Sequence, residues 1–166
     1  MRGNRPIIVA LLLALVGLVI QSTLFRRFNW LTPDLVVLVV CVSALSLHPS
    51  AALLVGFLSG TMVDLSIASS VLGLRSLVYT VVAYLAIRTR SRAESGFLAA
   101  GLWMGLLTAA SVVLLLVVGI TFGQSGELGA HIVPRLLQVP LSNFLIGSLL
   151  AMPLTRLLQP RRGVTA

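Results

Sequence analysis

Almost the whole chain reads as apolar blocks, each close to the length of a membrane-crossing helix, parted by connections of only a few polar or helix-breaking residues. That pattern leaves few folds open. Of the 166 residues 58% are hydrophobic and 10% charged, with a mean hydropathy of +1.07, whereas ordinary soluble domains carry about 25% charged residues. A soluble globular fold is excluded. So is a disordered chain, and the single cysteine, Cys41, cannot form an internal bridge. About 20 helical residues cross the ~30 Å hydrocarbon core, so six passes use about 120 residues and leave no room for a second domain. The expectation is one all-α integral membrane domain over residues 1–166, a six-transmembrane-helix bundle.

The punctuation sets the spans. Arg2 and Arg5 precede an apolar block with no small-residue cleavage site after it, so this block reads as a retained first span, about 6–25. Arg26, Arg27, Asn29 and Trp30 form the connection. Thr32, Pro33 and Asp34 then read as a helix start: Thr32 as N-cap, Pro33 at the first helical position, Asp34 at the positive end of the dipole. The second span, 33–47, stops at His48-Pro49-Ser50 and pairs as a hairpin with the third, 51–67. A turn at Ser69 and Ser70 leads to the fourth span, 72–88. Arg88, Arg90, Ser91, Arg92, Glu94 and Ser95 read as a solvated loop before the fifth span, 97–122. A glycine-rich loop from Gly123 to Gly129 precedes the sixth, 132–158, where Pro134, Pro140 and Pro153 predict kinks.

Six passes place both termini on one side, together with Arg2, Arg5, Arg88, Arg90, Arg92, Arg156, Arg161 and Arg162. Arg26, Arg27, Arg75 and Arg135 fall on the other side. Cytoplasmic loops retain positive charge, so the eight-to-four split predicts cytoplasmic termini. The arginines at the ends of apolar blocks suit topology and anionic lipid headgroups, not nucleic acid.

Few residues offer chemistry. Gly56, Gly60 and Asp64 recur every four residues on one face of the third span, and the glycines permit close approach by a neighbouring helix, as do Gly101 and Gly105 on the fifth. Asp64 is the one acid inside an apolar block, where a carboxylate needs a partner. A hairpin turning at Ser69 and Ser70 sets it opposite Arg75, which predicts an intramembrane ion pair. Asn143 is placed to hydrogen-bond across helices, and Cys41 reads as a small core residue. His48 and His131 have no metal-ligand spacing, and Glu94 and Glu127 lie in loops. No His-Glu-x-x-His, paired-cysteine or Gly-x-Ser-x-Gly pattern occurs. The expectation is a protein without catalysis, metal or cofactor.

From Thr32 to Leu85 the chain resembles the rod shape-determining protein MreD family. The likeness rests on Pro33-Asp34, the apolar run to the His48-Pro49 break, Gly56-Phe57 with Gly60, Asp64-Leu65, Leu72-Gly73 with Arg75, and Ala83-Tyr84-Leu85. The resemblance implies a non-enzymatic component of the cell-wall elongation machinery in the bacterial inner membrane. Its expected partner is MreC, whose membrane helix would pack against the bundle; Gly56, Phe57, Gly60, Asp64 and Gly73 are the residues for helix packing within the chain or for binding that partner. RodA, a penicillin-binding transpeptidase and the MreB filament are expected in the wider assembly. The implied fold is similar to that of the S components of energy-coupling-factor transporters. This supplies a second reading: capture of a vitamin or metal through Asp34, Asp64, Arg75 and Asn143.

Overall fold

In the computed structural model, residues 4–23, 33–67, 72–123 and 132–158 are described. They form six α-helices and no strand: α1 Arg5–Thr23, α2 Leu35–Ser46, α3 Pro49–Ser66, α4 Leu74–Thr89, α5 Phe97–Thr121 and α6 Ile132–Leu158. Three of these, α1, α3 and α5, are long and apolar enough to cross a membrane by length and composition. At 1.5 Å per residue α2 is only about 18 Å long, short of the ~30 Å core.

The helix ends follow local chemistry. The α2–α3 break is tight because the Leu47 amide donates to Ser43 O, while His48 takes the N-cap position and Pro49 supplies the fixed φ of a first helical residue. The Arg88–Ser95 stretch is solvated as expected, with Arg88, Arg90, Ser91 and Arg92 exposed, but it is helical and not a loop. It forms a 3-10 helix, Arg90–Ser95, held by burial of Ala93. Trp103 Nε1 donates to Thr89 Oγ1 at 2.8 Å across the same corner. Pro140 and Pro153 lie inside an unbroken α6, and Pro134 sits in its first turn, where an amide has no intrahelical partner.

The pairs α3–α4 and α5–α6 run antiparallel, and α2 packs against all five other helices. Its nine residues from Val36 to Ala44 are all buried, which is why it is apolar on every side. The bundle's interior is mostly apolar but encloses several polar groups, and its outer surface is apolar. Ser43, Ser59, Asp64, Ser76, Thr108, Ser111, Ser142 and Asn143 are buried, whereas Leu12, Val16, Leu102, Leu106, Val117, Leu137, Leu141 and Leu149 are exposed. So large an exposed apolar belt needs lipid around it.

Candidate functional site

Two helix pairs meet backbone to backbone. An added Cβ at Gly56 would stand 2.8 Å from Tyr79 O and 3.0 Å from Ala83 Cβ; at Gly60 it would meet Ser76 Cα and stand 2.6 Å from Arg75 O. The glycine face of α3 is therefore filled by α4. Of the two neighbours open to Gly56 and Gly60, a partner's helix or another helix of the chain, it is the second that uses the close approach they permit. Gly101 and Gly105 do the same between α5 and α6, against Phe144, Ser148 and Pro140 O.

One turn beyond Gly60, the Asp64 carboxylate reaches the start of α4. It accepts from the amides of Gly73 (3.0 Å), Arg75 (3.1 Å) and Ser76 (3.3 Å). Arg75 Nε stands 4.0 Å from Oδ1, with the arginine side chain 24% exposed and the aspartate side chain fully enclosed. Asp64 thus satisfies amides at the start of α4 from a neighbouring helix, as a negative group favours a helix N-terminus. Gly73, the N-cap of α4, has φ +99° and open space where a Cβ would be, so it serves the turn and not a packed contact. Phe57, on the flank of the glycine face of α3, is 51% exposed.

A second carboxylate begins α2. Asp34, not Thr32, is the N-cap: its Oδ1 accepts from the Val37 amide at 3.1 Å. Pro33 precedes the helix and is buried, and Thr32 lies outside the described residues. Both Thr and Asp cap well. What favours Asp34 is a long-range donor, since Tyr79 Oη donates to its Oδ2 at 2.9 Å. Asn143 Nδ2 donates to Asp34 O (3.0 Å) and to Thr108 Oγ1 (2.9 Å), and the Leu35 amide donates to Gln21 Oε1 at 3.1 Å. Tyr79, Asp34, Asn143 and Thr108 thus form one hydrogen-bonded polar chain, with Gln21 joined through Leu35.

Every helix but α3 contributes to that chain. At 1.5 Å per residue, Asp34 and Thr108 lie about 17–18 Å from the end of the bundle that holds His48, past the middle of a ~30 Å core. Polar groups at such depth persist only when they satisfy one another, so the chain fixes helix register. It leaves one group over: Asn143 Oδ1 is buried without a partner. Tyr79→Phe is expected to lower the stability of the folded bundle by about 1.5 kcal/mol, because it removes a bond to a charged acceptor. Thermal unfolding of the detergent-purified chain measures this, and an unchanged midpoint would show that the Tyr79–Asp34 bond holds nothing.

Sequence reasoning missed Tyr79, Thr108 and Gln21, although a tyrosine hydroxyl inside an apolar span was a usable signal. Cys41 is buried in the core, and His48 stands exposed with Nδ1 2.9 Å from Ser50 Oγ. His131, Glu127 and the Ser69–Ser70 turn lie outside the described residues. No group of three or more His, Cys, Asp or Glu able to hold a metal occurs among the described residues.

A family model described as "rod shape-determining protein MreD" matches residues 1–161. No curated protein and no solved structure matches the chain.

Proposed function

This chain belongs to the rod shape-determining protein MreD family, and on that premise we propose that it is a non-catalytic scaffold of the cell-wall elongation machinery. Membership ties it to rod-shape determination at a membrane. In our reading it holds MreC by its membrane helix and thereby orients that partner's periplasmic domain towards RodA and a penicillin-binding transpeptidase, with MreB on the cytoplasmic side. The observation that carries this is the reach of the family match, residues 1–161. All six helices lie in the inner membrane in this reading, with α2 enclosed by the others. Both termini and the arginine-rich α4–α5 connection face the cytoplasm. The bundle is S-component-like in architecture.

With α4 on the glycine face, the MreC helix is assigned to the outward side of α3. There Leu54, Phe57 and Leu65 are exposed along one stripe, and Phe57 is the outward residue of the motif that carries the family likeness. The test is a pull-down of the tagged full chain from membranes, read by mass spectrometry. MreC and wall-synthesis proteins are the expected catch, and Phe57→Ala should lower MreC recovery several-fold while the chain still accumulates. Undiminished recovery would move the docking face elsewhere. Recovery of transporter ATPase subunits without wall-synthesis proteins would overturn the scaffold reading in favour of an S component.

A further inference from the structure

The α4–α5 corner carries more positive charge than its packing uses. Leu77, Val81, Tyr84 and Arg88 recur at i, i+4, i+7 and i+11, so they form one outward stripe of α4, and all four are exposed. The Arg88 guanidinium lies 5.9 Å from the centroid of the Tyr84 ring, a cation–π distance that holds the charge at the edge of the apolar wall. Immediately after, the 3-10 helix turns Arg90 and Arg92 outward while Ala93 fixes it to the core. On α5, Leu98, Leu102 and Leu106 continue the apolar wall. Gly101 meets Ser148 and Phe144 across the α5–α6 pair, a register that carries the exposed Arg156 beyond the start of α5, towards the α4–α5 corner. None of the four arginines forms an ion pair among the described residues.

Guanidiniums standing directly on a lipid-facing wall match an amphiphile: an acidic protein segment would meet the charge and leave Leu77, Val81, Leu98 and Leu102 uncovered. We propose that this corner binds anionic glycerophospholipids. Arg88, Arg90 and Arg92 engage the phosphate, Arg156 adds charge from the far side of α5, and the acyl chains lie along the α4 and α5 stripes. Arginine suits this task because its planar fork takes two phosphate oxygens at once. The proposal requires only that the chain lies in a membrane, whichever proteins it meets.

The experiment is native mass spectrometry of the detergent-purified full chain, offered phosphatidylglycerol and phosphatidylcholine with identical acyl chains. Phosphatidylglycerol should be retained about tenfold or more in preference, with the preference shrinking as sodium chloride is raised. The double variant R90Q/R92Q should lose about fivefold in retention per arginine removed. Equal retention of the two lipids overturns the proposal. Displacement of phosphatidylglycerol by inorganic phosphate would reassign the corner to free phosphate, and displacement by a polyglutamate peptide to an acidic protein; either result also overturns it. If R90Q/R92Q does not insert, the lipid preference of the native chain and its salt dependence decide the question alone.

Discussion

Gly60→Ala should cost the bundle about 3 kcal/mol, the upper end for one added methyl group in a packed interior. The reason is what the methyl would meet. At Gly60 its neighbours are backbone atoms of Arg75 and Ser76, which no rotamer change can clear, and they stand closer (2.6 Å to Arg75 O) than the nearest atom at Gly56 (2.8 Å to Tyr79 O). Separating α3 from α4 also draws Asp64, one turn away, off the amides it satisfies. Gly60→Leu should abolish accumulation of folded chain. Gly73→Ala is the informative contrast: its site is open but its φ is +99°, so only backbone strain acts, about 1–2 kcal/mol. The yield of monodisperse protein after detergent extraction, and its thermal midpoint, order the three variants. A Gly60→Ala protein as stable as the native one would mean that α3 and α4 do not touch backbone to backbone.

Much of this architecture was legible because short-range chemistry punctuates it. The His48-Pro49 break, the limits of the long fifth and sixth helices and the opposition of Asp64 to residue 75 all follow from spacing and capping. What escaped depends on partners distant in sequence. Thr32 and Asp34 compete as caps on nearly equal local terms, and the donor that distinguishes them, Tyr79, lies 45 residues away. A glycine face looks the same in sequence whether its neighbour is α4 or another protein, so spacing alone could not say that Gly56 and Gly60 are spent inside the chain. The short second span was legible as uniformly apolar, yet its place at the centre follows from helices that close around it later. The 3-10 helix was hidden for a similar reason. Its residues are polar enough for a loop, and only burial of Ala93 and the Trp103–Thr89 bond order them.

Asp64→Ala and Arg75→Ala should have very unequal effects, because the enclosed carboxylate and the arginine do different work. Removing the carboxylate leaves the amides of Gly73, Arg75 and Ser76 without their acceptor and strips Arg75 of its counter-charge. Three buried or part-buried amides left without their charged acceptor cost about 3–5 kcal/mol together. Removing Arg75 leaves Asp64 with all three amides, and the lost contact is a 4.0 Å approach by a side chain 24% exposed, so a cost of about 1 kcal/mol or less is expected. The double variant should then fall within about 1 kcal/mol of Asp64→Ala, because the second change removes the charge that the first left unpaired. Asp64→Asn should lie between the single variants, since the amide keeps one acceptor oxygen but turns a donor towards other donors. Thermal midpoints of the four variants in the same detergent supply the comparison. Equal damage from Asp64→Ala and Arg75→Ala would show that the ion pair, and not acceptance of the α4 amides, fastens α4 to α3.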